Sequence, residues 1–310
     1  MLTKPKQRIL VTGASGFVGQ ALVRTLAEEH HVVATDRLGL NTLNSQNVTA
    51  VSGDLDDSAL IAAVTDEPLD AIVHLATIPG GAAEAEPALG NVINVAASMA
   101  LIDAAAAHGN FPRLLFASSI ALFGDPMPER VDDDTAVSPM LRYGAHKAML
   151  EEWIATLTRR GAVRGLSLRL PGIVARPLGP SGMKSAFLSN LFHDLKAGRE
   201  STLPVSPEAT CWLLSRPTLI NQLVAALAFP NDPDAARLNL PAMRVMMGEL
   251  VAEVARQTGI DANLVAYDPD SAIEAAFGCQ PPLFTPRADA FGLRHDGTLP
   301  DLVRNALADI

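Results

Sequence analysis

Short apolar runs rich in β-branched residues alternate with alanine-rich stretches up to about residue 175. The runs are RILVTG (8–13), HVVATD (31–36), VTAVSGDL (48–55), DAIVHLAT (70–77), RLLFASS (113–119) and LSLRLPG (166–172). Several are apolar from end to end instead of alternating, as strands covered by helices on both faces are. Strand-like runs separated by helix-length stretches predict βαβ units, hence an α/β protein with a parallel sheet. Among the stretches between them, NVINVAASMALIDAAAAHG (91–109) predicts a helix whose small residues let another helix come close.

From Arg176 the texture shifts to Pro, Gly and Ser: RPLGPSGMKS (176–185) predicts a loop and SAFLSNLFHDLKAG (185–198) a short helix. RPTLINQLVAALAF (216–229) and ARLNLP (236–241) read again as helix and strand, so the chain is expected to return to its first domain. LPDLVRNALADI (299–310) predicts a closing amphipathic helix, and the acidic run Asp132 to Asp134 a solvated loop.

With 310 residues, 48% of them apolar, the chain can bury a large core. Its net charge of −10 leaves no basic surface for a phosphate backbone, so no nucleic acid partner is expected. MLTKPKQRIL runs straight into the first strand without a secretory apolar core, and no apolar stretch of about 18 residues is apparent. A cytoplasmic protein that does not enter a membrane is the expectation. Cys211 and Cys279 fit no metal spacing and read as buried thiols, and the seven histidines are scattered, so no metal is expected.

Candidate chemistry starts at TGASGFVG (12–19), which joins the first strand to the helix FVGQALVRTLAEE (17–29). Glycines there let the backbone approach a pyrophosphate, and the helix N-terminus offers free N–H groups and partial positive charge. The expected contacts are Gly13, Ser15, Gly16, Phe17, Val18 and Gly19. Glycine spacing alone is a weak signal, but the second run ends in Asp36, where a carboxylate can accept from both hydroxyls of an adenosine ribose. That combination predicts NAD over NADP, whose 2′-phosphate would face Asp36 with a second negative charge. Arg37 is expected to lie along the adenine. GDL, with Asp54 and Leu55, and LAT, with Leu75, Ala76 and Thr77, follow the third and fourth strands at the sheet edge where ligands bind.

YGAHK (143–147) holds one of only two tyrosines in the chain and a lysine four residues on. If SPMLRYGAHKAMLEEWIATL (138–157) is helical, Tyr143 and Lys147 share a face. An ammonium beside a phenol favours the phenolate; lowering a pKa of about 10 by three units takes roughly 4 kcal/mol. The fifth strand ends in Ser118 and Ser119, either of which could hold a reacting hydroxyl or carbonyl.

Together, TGASGFVG, TDR, GDL, HLA, Asn94, SSIALFG, YGAHK and RLPGIVARP resemble the extended short-chain dehydrogenases/reductases, over nearly the whole chain. The resemblance implies a Rossmann-type doubly wound parallel sheet over 1–175, revisited by about 215–240, with a smaller substrate-binding domain over 176–310. It implies Tyr143 as catalytic acid/base, Lys147 as the ribose-binding partner that lowers its pKa, Ser119 as the catalytic hydroxyl, and Asn94, Pro171 and Ile173 at the cofactor. It further implies a homodimer through helices at about 91–108 and 140–160. Two departures narrow the reaction: family dehydratases carry Asp-Glu where this chain has Ile120 and Ala121, and epimerases usually have asparagine in the loop that here reads LPGI.

Arg176, Lys184, Ser185, Trp212 and Arg216 come from the region expected to roof the substrate, and a cation among them can grip a carboxylate. The order of motifs is similar to a type within the family that oxidises a four-carbon sugar acid, although the Arg-Pro order in TCWLLSRP looks reversed. Substrate contacts are expected from Thr77, Ser118, Ser119, Tyr143, Arg176, Lys184 and Arg216. A redox epimerase of nucleotide sugars and a nucleotide-sensing regulator on the same fold stay open as alternatives.

Overall fold

The computed structural model describes residues 5–43, 45–124, 126–179, 183–232 and 236–310. They form two compact units, the first built from residues up to Ser119, Leu141–Arg169 and Leu223–Leu238, the second from Ile120–Met140, Leu170–Gln222 and Asn239–Ile310.

In the first unit, β1 (Arg8–Thr12), β2 (His31–Asp36), β3 (Val48–Ser52), β4 (Ala71–His74), β5 (Arg113–Ser119) and β6 (Arg164–Leu170) appear where the apolar runs predict them. A seventh strand, Arg237–Asn239, completes the sheet, in the order seventh-β6-β5-β4-β1-β2-β3. β1 to β5 run parallel, with Ile9 opposite Val32 on one side and Ala71 on the other. This is a Rossmann-type doubly wound sheet, and its order reverses at β1, so the carboxyl ends of β1 and β4 flank the crevice where such sheets take ligands.

The helices are α1 (Phe17–Leu26), α2 (Ser58–Val64), α3 (Gly80–Ala85), α4 (Pro87–Asn91), α5 (Ser98–Ala106) and α6 (Arg142–Arg159). Between α4 and α5 the expected regular helix opens into a π turn, Val92–Ala97. Side-chain bonds account for it: the Ser98 hydroxyl donates to the carbonyl of Ile93, five residues back, and Asn94 reaches across to residue 78. The inner face of α5 supplies Leu101, Ile102 and Ala105 to a core shared with Ile72, Leu114, Phe116 and Leu150. Against the sequence expectation, the helical run Pro87–Ala106 is long and apolar enough to cross a membrane. Its buried Ala97, Leu101, Ile102 and Ala105 belong to this core, and a core helix passes the same test of length and composition, so the run is weak evidence for a span.

The second unit holds a three-stranded sheet in the order Met243–Met246, Thr210–Ser215, Gly172–Val174, and a parallel pair, Ser201–Leu203 with Val265–Tyr267. Its core collects Leu191, Phe192, Leu213, Leu250 and Leu302 from three helices and this sheet. The closing helix, Leu299–Ala308, carries a full capping box between Thr298 and Asp301. Part of the loop predicted at 176–185 lies outside the described residues. Two sequence readings are corrected here. Asp133 is no solvated residue: it is buried, and its carboxylate accepts from the backbone N–H of Asn239 (3.2 Å) and Arg287 (3.1 Å). Cys279 is exposed, whereas Cys211 is buried and its thiol is pushed up to about 12 by burial.

Candidate active site

The glycine turn is built for close approach. Gly13 sits at φ +67°, and a Cβ there would lie 2.8 Å from the Ala76 nitrogen; a Cβ on Gly19 would fall 2.1 Å from the Gly13 carbonyl oxygen. Neither position admits a side chain. Asp36, at the end of β2, accepts from the Ser15 N–H (3.0 Å) and from the Arg37 N–H (2.7 Å), so its carboxylate is held against the turn. Each oxygen keeps acceptor capacity for a ribose hydroxyl. The Arg37 side chain points to Asp54, at 3.9 Å, with both exposed. Leu55 belongs to the apolar core of the unit, which leaves only its backbone for a ligand.

A buried hydrogen-bond chain fixes the second wall of this crevice. Thr12 Oγ accepts from the N–H groups of Leu75 (3.2 Å) and Ala76 (3.1 Å). With both lone pairs taken, its proton goes to His74 Nδ1, 2.7 Å away. His74 Nε2 then donates to Ser98 Oγ (2.9 Å), which donates to the Ile93 carbonyl. Burial, and then the charge of Lys147, hold His74 down at about 3, so it is neutral and of one tautomer. Asn94 is buried, and its amide is committed to the loop: its oxygen accepts from the Ile78 N–H (2.6 Å) and the Thr77 hydroxyl (3.2 Å), and its nitrogen donates to the Ile78 carbonyl (3.0 Å). The side chains of Asn94 and Thr77 brace the loop after β4, and Thr77, half-buried, keeps acceptor capacity on its hydroxyl.

Helix α6 presents Tyr143 in its first turn and Lys147 one turn on. Lys147 is only 2% exposed. Its Nζ lies 4.6 Å from the centroid of the Phe116 ring and 5.3 Å from that of the Tyr143 ring, a cation held between two π faces. Burial lowers Lys147 to about 7 against an opposing pull from Glu151. At the end of β5 the two serines separate, as successive residues of a strand must. Ser118 is buried and donates to Glu151 Oε1 at 2.6 Å; Ser119 is half-buried. The Ser118 proton is thus committed to Glu151, whereas the Ser119 hydroxyl sits on the half-buried side.

In the second unit, Ile173 is buried in the strand opposite Leu214, and Pro171 is buried just before it, so both can offer only backbone to a cofactor. Arg216 is corrected outright: its guanidinium grips Asp309 with two nitrogens, and this pair is largely buried. Trp212 is no roof residue either; it is fully buried, stands edge-on to Phe123 and donates to the Pro281 carbonyl (2.7 Å). The Arg176 guanidinium lies 2.8 Å from the Met183 sulfur, and its carbonyl accepts from His193 Nε2 (2.7 Å). Lys184 is exposed, at the start of the 3₁₀ turn Lys184–Ala186. Among the described residues no group of His, Cys, Asp and Glu is arranged to hold a metal.

Sequence reasoning passed over Glu151, Arg169 and His74. Arg169 carried a usable signal, since a charge inside the apolar run LSLRLPG has to find a partner. That partner is Glu151, bound through Nε (3.0 Å) and Nη2 (2.8 Å).

Residues 9–210 match the NAD dependent epimerase/dehydratase family. The chain is 33% identical to D-erythronate dehydrogenase of Cupriavidus necator over 97% of its own length and 98% of that protein. It is 31% identical to D-erythronate dehydrogenase of Haemophilus influenzae over 81% and 82%. Its fold superposes on the crystal structure of a nucleoside-diphosphate-sugar epimerase from Agrobacterium tumefaciens with a TM-score of 0.90 at 27% identity, covering 98% of this chain and 94% of that one. The chain belongs to the NAD dependent epimerase/dehydratase family. Its cofactor is NAD, and by the relatives that match it nearly end to end it is a dehydrogenase.

Proposed function

We propose that the chain oxidises a secondary hydroxyl of a small sugar acid, D-erythronate or a close analogue. The observation that carries this reading is Lys147, buried beside Tyr143 on one face of α6, in a chain related along almost its whole length to dehydrogenases of that acid. Bound NAD supplies the hydride acceptor. Tyr143 takes the hydroxyl proton, Ser119 orients the reacting oxygen, and Lys147 favours the phenolate and holds the nicotinamide ribose. The turn of Gly13, Ser15, Gly16, Phe17, Val18 and Gly19 holds the pyrophosphate, with Asp36 on the adenosine ribose. Backbone at Leu55, Leu75, Ala76, Pro171 and Ile173 lines the cofactor, and Asp54 turns Arg37 outward.

For the acid's carboxylate the candidates are Arg176 and Lys184. A thioether is a weak acceptor, so the contact between Arg176 and Met183 is one a carboxylate displaces. Ile120 and Ala121 supply no acid for dehydration. The reading places the enzyme in the cytoplasm as a homodimer formed through the helical stretches at about 91–108 and 140–160, which carry the exposed Val92 and Met149.

A redox epimerase of nucleotide sugars is the second reading, favoured by the likeness to the Agrobacterium protein. A panel of C4 to C6 sugar acids and nucleotide sugars, each with NAD, separates the two. Release of NADH with a sugar acid is the expected result; conversion of a nucleotide sugar without free NADH, alongside silence with every acid, would overturn it.

A further inference from the structure

Glu151 stands one turn beyond Lys147 on α6, with its side chain only 3% exposed. Three elements converge on its carboxylate: Ser118 from β5 at 2.6 Å, Arg169 from β6 through two bonds, and Arg237 from the seventh strand, with its Nε at 3.7 Å. A buried carboxylate is costly unless its bonds are filled, and here one of them comes from Ser118, the residue just before Ser119, and two from Arg169.

We propose that Glu151 is a positioning residue for the oxidation site: it ties the end of β5 to α6, so fixing Ser119 against the Tyr143–Lys147 face, and it sets a carboxylate one helical turn from Lys147. The proposal rests on the reading of Tyr143 as the proton acceptor. The charged and titratable groups around Lys147 are Tyr143, His146 and Glu151 on its own helix and His74 from β4, with the Phe116 ring from β5. His74 is neutral, and His146 is lowered by burial and by Arg142. Glu151 is thus the anion that offsets the desolvation of Lys147, and Arg169 and Arg237 are the cations that hold it in place.

Removing the negative charge of Glu151 lowers Lys147, through lost attraction and through the uncompensated charge of Arg169. A neutral lysine no longer favours the Tyr143 phenolate, so Tyr143 ionises at higher pH. The chain has only two tyrosines, so a Tyr267→Phe background leaves Tyr143 as the sole phenol. Its ionisation can then be followed by phenolate absorbance with no substrate present, which separates failure of this proposal from failure of the substrate assignment.

In that background Glu151→Gln is expected to move the phenolate titration upward by about half a unit or more and to cut kcat with the sugar acid at least about ten-fold, with a smaller change in KM for NAD. Glu28→Gln, exposed just past the end of α1, is the control and moves neither. Ser118→Ala keeps the charge and removes one bond; it lowers kcat through Ser119 and leaves the titration where it was. Should Glu151→Gln fail to fold with Arg169 orphaned, Glu151→Gln with Arg169→Met carries no unpaired charge and is expected to shift the titration in the same direction by less. A folded variant of either kind whose Tyr143 titrates as the parent does would overturn the proposal, as would a Ser118→Ala enzyme of unchanged kcat.

Discussion

The two units handle recognition differently. Around the glycine turn of the first unit, the candidate binding surface is backbone, and buried side chains hold that backbone in place: Thr12, His74 and Ser98 form one chain, Asn94 another anchor. In the second unit the candidate contacts are long side chains on loops and turns, and one of the three expected cations is already paired within the fold. A surface of backbone tolerates no Cβ and so writes itself into the sequence as glycine; a surface of flexible cations is spelled like any solvated loop. The contrast teaches that a shared cofactor and a divergent substrate can be served by one chain because they are read by different kinds of atoms.

The sharpest way to break the comparison is at the reacting group. Tyr143→Phe deletes the proton acceptor without touching the glycine turn, so turnover should fall by about 10²- to 10⁴-fold with NAD affinity nearly unchanged. Retention of more than about a tenth of the rate, measured as kcat at saturating NAD, contradicts the assigned role.

Lys147 tests the cost of burying a functional charge. It is lowered from 10.5 to about 7 in the folded chain, so between those values the unfolded chain binds more protons and the stability of the native state rises with pH. Lys147→Met should therefore be inactive yet more stable than the parent by on the order of 2–4 kcal/mol near neutrality. That gain should shrink as pH approaches about 10, which urea titrations at several pH values would show.

Arg176 and Arg216 sharpen the contrast inside the second unit. Arg176→Ala is expected to raise KM for the acid by about ten- to a hundred-fold, the worth of one charge-assisted hydrogen bond at roughly 1.5–3 kcal/mol. Arg216→Ala should leave KM alone and lower Tm instead, since it orphans Asp309. If the two results exchange places, the pairing of Arg216 does not describe the working enzyme.

The smallest effect concerns the ribose. NAD should be preferred to NADP by at least about ten-fold in kcat/KM, because Asp36 is fastened beside the turn and Arg37 is drawn toward Asp54. Asp36→Ala should narrow that ratio chiefly by weakening NAD.

Much of the first unit was legible because its physics is local. Apolar runs became β1 to β6, the glycines marked the turn, and the four-residue spacing of Tyr143 and Lys147 placed them on one helix face. What could not be read depends on partners far apart in sequence. Nothing near Ser118 announces Glu151, 33 residues away, and nothing near Arg216 announces Asp309, 93 residues away. Trp212 looked like a ligand contact because aromatic residues on apolar strands serve equally as core, and only the position of Phe123 and Pro281 decides between them.

The π turn at Val92–Ala97 has a consequence for how such chains diverge. A π turn is in effect one extra residue inside an α-helix. Deleting one residue there would let the helix run regularly with its flanking turns still in phase, but it would remove the local widening in which Asn94 and Ser98 make their bonds. Asn94 and Ser98, which tether the loop after β4, could then no longer keep these bonds while the core residues of α5 stay in place. Insertions and deletions that homologous chains accept freely in loops should accordingly be barred from this stretch, whose length acts as a gauge block between the cofactor loop and the outer face of the helix.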